Sequence, residues 1–253
     1  SKAIELKQDF SEAFYNRGNT YSEMKQYDKA LEDYSKAIEY KSDYAKAYNN
    51  RGNIFAEKKQ YDKALEDYSK AIELKQDFAE AYNNRGGTHN ELKQYDKALA
   101  DFTKAIELKL DDADAFYNRG ITYDKMKQYD KALEDYSKAI ELKPDYANAY
   151  NNRGYTYLHL KDYENAKKDF DKALELDPND ENIHDSIGEY YLETGDYQKA
   201  IEYFTKAIEL GITEPEVYDK RAKAYDAVGE PEKAKADRET AAVLSNNNPD
   251  DKK

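Results

Sequence analysis

Histidine is the side chain best suited to proton transfer and metal binding near neutral pH, and this sequence has three, His89, His159 and His184. They fall at different positions of an internal period, so they form no close cluster and read as substitutions at packing or surface sites. Cysteine is absent, which removes disulfides, thiolate metal sites and cysteine nucleophiles. No phosphate-cradling glycine loop, nucleophile elbow or metal-ligand spacing occurs, so no catalytic residue, metal or cofactor is assigned. What recurs instead is amide and guanidinium chemistry. Asn16, Asn50, Asn84, Asn118 and Asn152 stand one period apart, and each is followed by an arginine and a glycine. An amide offers both a donor and an acceptor, so it can match a peptide bond without reading side chains.

The elements that must position these groups follow from the period. Gly18, Gly52, Gly86, Gly120, Gly154 and Gly188 recur every 34 residues. The same step carries alanines from Ala30 to Ala234 and from Ala37 to Ala241, and aromatics at Tyr34, Tyr68, Phe102, Tyr136, Phe170 and Phe204. Small residues let two helices approach closely and the rings fill the gaps, so each unit reads as helix, turn, helix. Asp9 and Asp77, each with Glu three residues on, predict a capping box at the start of a first helix, with Asp43, Asp111 and Asp145 in the same slot. Lys-Gln-Tyr-Asp at 25–28 and 59–62 predicts the end of a first helix, its Asp charging the start of the second. Pro144, Pro178 and Pro215 fall near unit boundaries, where proline does least harm.

Comparing the units with one another predicts a pairing. Arg17, Arg51, Arg85, Arg119, Arg153 and Arg221 are matched sixteen residues later by Asp33, Asp67, Asp101, Asp135, Asp169 and Asp237. Ile187 and Tyr203 break both series in the same unit. An Arg-Asp pair inside each unit explains the joint loss, whereas pairing between neighbours would leave Asp169 facing Ile187. Such a pair is structural, since removing one partner strands a partly buried charge.

With Ser11 as the first position, Phe14, Gly18, Tyr21, Ala30, Tyr34 and Ala37 meet the pattern of the tetratricopeptide repeat family, which this chain resembles from Ser11 to about Asn246. The resemblance implies an all-α fold, a right-handed superhelical solenoid of antiparallel helix pairs. It divides the chain into the end of a truncated preceding repeat at 1–10, six units over 11–214, a seventh capping unit over 215–245 and a disordered tail at 246–253. The tail has nothing to bury. In the seventh unit Arg238 and Pro231 replace aromatic residues, which suits a solvated cap. In this family the first helices line a concave groove that often holds an extended peptide. The groove position then receives Asn16, Asn50, Asn84, Asn118 and Asn152, a row similar to the asparagine ladder of O-linked N-acetylglucosamine transferase repeat domains. Two readings of the row stand: hydrogen bonds to a bound chain, or bonds to neighbouring helices. Tyr15, Tyr117 and Tyr155 vary the groove and are candidate anchors, or alternatively inter-repeat packing. The clamp that binds acidic chaperone tails is incomplete, because Tyr15, Glu80 and Asn84 stand where it needs cations.

Charge narrows the partners. A net charge of -13 opposes nucleic-acid phosphates and favours an extended peptide or protein segment that is neutral or basic. No apolar run approaches membrane-spanning length. The sequence therefore predicts a binding scaffold, with self-assembly through the edge of the truncated N-terminal repeat, or targeting of a larger enzyme, as alternatives.

Overall fold

A computed structural model describes residues 2–247, and side chains over 10–246. Among the described residues there are fourteen helices and no strand. The chain divides into two compact units. Ser1–Lys127 holds α1 (Lys2–Glu23), α2 (Tyr27–Tyr40), α3 (Ala45–Glu57), α4 (Tyr61–Leu74), α5 (Ala79–Glu91), α6 (Tyr95–Leu108) and α7 (Ala113–Lys125). Gln128–Lys253 holds α8 (Tyr129–Leu142), α9 (Ala147–His159), α10 (Tyr163–Leu176), α11 (Glu181–Thr194), α12 (Tyr197–Leu210), α13 (Pro215–Ala227) and α14 (Pro231–Asn247). In each unit every helix packs on the next, and first helices also touch one another: α1 on α3, α3 on α5, α5 on α7, and α9 on α11 on α13.

The periodic small and aromatic residues are the core. Ala30, Ala37 and their equivalents are fully enclosed, and Tyr34, Tyr68, Phe102, Tyr136, Phe170 and Phe204 are the largest buried rings. The repeated glycine is what lets each ring lie flat on the first helix. A Cβ on Gly52 would stand 2.8 Å from the Tyr68 ring, and one on Gly188 would stand 2.6 Å from Phe204. First helices end in a left-handed turn closed by two backbone bonds, such as Gln26 N–H to Tyr21 O and Lys25 N–H to Ser22 O. Lys25, Lys59, Lys93, Lys127 and Lys161 hold that turn at φ of 55–59°, while Gly195 and Gly229 hold it in the last two repeats.

Two local expectations are corrected. The capping boxes do not form: α3, α5 and α9 are capped by Tyr44, Phe78 and Tyr146, with no side-chain hydrogen bond, and α7 by Asp112 rather than Asp111. Glu80 instead accepts from Asn49 Nδ2 at 2.9 Å. The physical reason in α3, α5 and α9 is that the aromatic after the Asp is the stronger anchor. Phe78 is 7% exposed and packs with Ala45, Ala71, Ile72 and Ala81, which fixes the chain's entry into α5. Secondly, no break separates residues 2–10 from the first full repeat, because α1 runs unbroken from Lys2 to Glu23. Residues 4–10 and 72–78 have the same sequence, Ile-Glu-Leu-Lys-Gln-Asp-Phe, yet only the second copy turns. Phe10 is 53% exposed where Phe78 is enclosed, so the turn is imposed by the packing of the phenylalanine. The predicted tail lies outside the described residues from 248 onward, and α14 reaches Asn247.

Candidate functional site

The Arg-Asp pairs lie within repeats, as the sequence predicts. Arg51 Nε and Nη2 each donate to Asp67 at 2.8 Å, and Arg17, Arg85, Arg153 and Arg221 make the same forked contact with Asp33, Asp101, Asp169 and Asp237. The remaining nitrogen, Nη1, reaches back one repeat: Arg51 to Ser35 at 3.1 Å, Arg85 to Ser69, Arg119 to Thr103, Arg153 to Ser137 and Arg221 to Thr205. Rings on the same helix flank each guanidinium, as Tyr48 and Phe55 flank Arg51 at 5.5 and 5.9 Å. Desolvation lowers the Arg51 pKa, but the Asp67 hydrogen bonds and charge outweigh it and the net shift is upward. Where both contacts form, the arginine is a saturated staple that offers nothing to a ligand, whereas the Arg17 side chain, in the first repeat, is 54% exposed. In the exceptional repeat Tyr203 takes the carboxylate's place, its ring 5.5 Å from Tyr191 and 5.8 Å from His184. There Asp171 also stands at the position of the accepting hydroxyl. The sequence carries that third coordinated loss as an acid in a column that holds Ser35, Ser69, Thr103 and Ser137 before it and Thr205 after it.

The asparagines follow a second rule. Asn84 Nδ2 donates to Asn49 Oδ1 at 3.1 Å and Asn53 Oδ1 at 3.0 Å, thirty-five and thirty-one residues back. Asn50 Nδ2 does the same with the Tyr15 hydroxyl at 3.2 Å and Asn19 Oδ1 at 3.0 Å. Asn118 Nδ2 donates to Asn83 Oδ1 at 3.2 Å. Tyr34 and Tyr68 hydroxyls complete the network by donating to Asn19 and Asn53 at 2.9 and 2.8 Å. These three members of the row therefore bond to neighbouring helices through their NH2 groups, while no described side chain donates to Asn84 Oδ1 or Asn118 Oδ1. Both residues line a cavity of about 520 Å³ in the first unit, with Asn53, Asn83, Gly87 and Glu91. Asn16 is exposed on α1.

The tyrosines divide. Tyr15 packs 4.9 Å from Tyr44 and accepts from Asn50, so it is occupied between repeats. Tyr117 is half-buried on α7. In the second unit Tyr155 donates to Glu189 Oε1 at 3.0 Å, and burial together with Glu189 pushes its phenol pKa up. Asn152 is half-buried on α9. At the rung position of α13 stands Lys220, whose Nζ lies 3.1 Å from Asp185 and 2.5 Å from Glu189, thirty-five and thirty-one residues back. This is the same geometry with charge in place of amides. Ser186 holds the rung position on α11, and Asn151 Oδ1, where a rung amide would donate, is buried without a partner. A serine is too short to follow the rule.

The histidines are dispersed. His89 Nδ1 lies 3.0 Å from Gln94 Oε1, His159 stacks on Tyr129 and meets the edge of Tyr155, and His184 Nε2 donates to Pro178 O at 3.0 Å. Among the described residues no group of three or more His, Asp or Glu could hold a metal ion. No described helix is long and apolar enough to cross a membrane.

Family models and solved structures agree on what these repeats are. Models of the tetratricopeptide repeat match residues 11–44, 79–112 and 113–146 and residues 145–211, and a TPR repeat model matches 52–92. Together they take in well over half of the chain. No curated protein matches it. The chain is similar to the crystal structure of MamA protein, at 28% identity over 67% of this chain and 93% of that one, with a TM-score of 0.58. It is similar to YrrB, described as a TPR protein with an unusual peptide-binding site, at 28% identity over 72% and 94%, with a TM-score of 0.57. A tetratricopeptide repeat protein from Parabacteroides merdae shares the fold at 20% identity over 94% of both chains, with a TM-score of 0.76. Helix pairs closed by a glycine-ring contact, repeating every 34 residues and matched by these models, place the chain in the tetratricopeptide repeat family.

Proposed function

We propose that the chain is a protein-interaction scaffold that holds an extended polypeptide against the first helices of its repeats. The observation that carries this reading is the orientation of the amides in the first unit. Their NH2 groups are tied to the neighbouring repeat, which fixes how each amide is turned and leaves Asn84 Oδ1 and Asn118 Oδ1, on residues that line the 520 Å³ cavity, as acceptors for a partner's backbone N–H. The resemblance of the row to the transferase ladder and the peptide-binding site named for YrrB support the same reading. A net charge of -13 favours a neutral or basic partner, whose affinity falls with added salt if it is basic.

The test is titration of a labelled peptide library against the parent and the Asn84→Ala/Asn118→Ala variant, with thermal melting as a control for folding. Two lost hydrogen bonds of about 0.5–1.5 kcal/mol each weaken binding on the order of tenfold. A folded double variant that binds as tightly as the parent removes the proposal. A second reading, association of two copies, is favoured by the aromatic stack in which exposed Phe10 and Tyr40 lie on half-buried Phe14, with centroids 5.8 Å apart for Phe10–Tyr40 and 5.6 Å for Phe14–Tyr40. Sedimentation of Phe10→Ser tests it, since a second copy docked there is lost with the ring.

A further inference from the structure

The rung rule has one defect in the first unit, and it lies inside the cavity. Asn50 and Asn84 each place both Nδ2 hydrogens, one thirty-five and one thirty-one residues back. Asn118 places only one, on Asn83. The residue thirty-one before it is Gly87, which has no side chain to accept the second. The tyrosine hydroxyl that would anchor an asparagine there is missing too, because Phe102 stands where Tyr34 and Tyr68 stand in the repeats before. The space is real: a Cβ built on Gly87 meets nothing within 4 Å, although the adjacent Gly86 is pressed against Phe102. This repeat has therefore lost one carboxamide and the hydroxyl that anchors it, and kept the asparagine that would donate to it.

We infer that the cavity over Gly87 receives a carboxamide side chain, glutamine or asparagine, from the bound polypeptide. This deepens the groove reading and rests on it. The chemistry of the lining selects among side chains. Asn118 has an N–H that needs an acceptor, which lysine and arginine cannot supply. Glu57 and Glu91 outnumber Lys59 among the charged residues that line the same cavity and oppose a further carboxylate, so aspartate and glutamate fit badly. A methionine fills the volume and leaves the N–H unpaired. A carboxamide presents an oxygen to Asn118 and an NH2 to acceptors such as Asn84 Oδ1 and Glu91. It restores the arrangement that Asn53 makes with Asn84 in the preceding repeat.

The experiment titrates the protein with N-acetylglutamine methylamide and with its methionine, glutamate and lysine counterparts, following the side-chain amide resonances of Asn118 and Asn84 by NMR. All four probes share the same backbone amides, so only the side chain is compared. The expected result is that the glutamine probe binds about tenfold more tightly than the methionine probe and shifts both resonances, with Gly87→Asn abolishing that preference and Gly87→Ala keeping it. Gly87→Asn fills open space on a helix, and a melting temperature at or above the parent's shows that it is folded. Equal affinity of the glutamine and methionine probes, absence of any shift at Asn118, or an unchanged preference in folded Gly87→Asn overturns the inference. These outcomes are separable from the groove reading, which stands or falls with the Asn84→Ala/Asn118→Ala titration of long peptides.

Discussion

Converting the Arg51-Asp67 pair into the Ile-Tyr pair that the chain itself carries at 187 and 203 tests whether these staples act as coupled units. The Asp67 side chain is 5% exposed and the Arg51 side chain 20%, and two bonds of 2.8 Å join them. Arg51→Ile strands a carboxylate that burial already pushes toward its protonated form, even against the opposing pull of Arg51. Asp67→Tyr strands a guanidinium that keeps only the Ser35 hydroxyl. Breaking a buried pair from one side costs about 3–5 kcal/mol, and partial hydration of Arg51 puts each single variant near the low end, about 3 kcal/mol. Independent effects would give about 6 kcal/mol for the double variant. In the double variant, however, no charge is left behind, and the phenol ring introduced by Asp67→Tyr meets the Tyr48 and Phe55 faces that now flank Arg51, as Tyr203 meets His184 and Tyr191. It should therefore be no less stable than either single variant, a coupling of about 3 kcal/mol. Urea unfolding followed by circular dichroism gives the stabilities. Hydrogen exchange in α3 and α4 localises the loss, which matters in a repeat array that need not unfold as one unit. A double variant destabilised by the sum of the singles would refute the reasoning.

Adjacent glycines on α5 should respond with opposite sign. Gly86→Ala drives a Cβ to 2.9 Å from the enclosed Phe102 ring and costs about 1–3 kcal/mol, whereas Gly87→Ala enters open space and gains up to about 1 kcal/mol of helix propensity, both read from unfolding midpoints. Lys93→Gly relieves an exposed left-handed residue at φ 56° and raises stability by about 1 kcal/mol, less what the freer unfolded chain takes back; a lower melting temperature would contradict it. Burial lowers the His89 pKa, against the pull of Asp101 and Gln94 and aided by Arg85 and Lys97. Its stability contribution is thus present above about pH 6.5 and is lost as pH falls through the depressed folded value. His89→Tyr restores the aromatic of that column and should flatten the acid limb of a stability-against-pH curve, an effect that an unchanged limb would rule out.

Periodicity made most of the architecture legible. A 34-residue repeat of glycine, alanine and ring demands helix pairs in close contact, because only a missing Cβ lets Tyr68 reach the backbone at Gly52. The joint loss of Arg and Asp in one repeat was enough to assign Arg51 to Asp67, since covariation among copies of one motif reports contact as directly as distance does. The asparagine row was visible as well, but its use was not. Spacing could not say whether an amide points its NH2 at a ligand or at the next helix, and both readings fitted the residues equally.

Tertiary packing decided the remainder. Ile-Glu-Leu-Lys-Gln-Asp-Phe is helical at 4–10 and turned at 72–78, so the sequence of that segment leaves its conformation open until Phe78 finds a cluster to enter. The capping boxes failed for the same reason, a buried ring outweighing a solvent-exposed carboxylate as the anchor of a helix start. The vacancy at Gly87 needed both levels. Its column in the repeat shows a glycine where others carry asparagine or larger residues, but only the hydrogen bonds of Asn50 and Asn84 show that Asn118 lacks an acceptor there. Repetition fixed which helices form and which faces meet, because those depend on side-chain size at a regular step. The direction of each polar side chain was settled by its neighbours' bonds, because an amide or a carboxylate turns toward whichever partner the packed helices bring within about 3 Å.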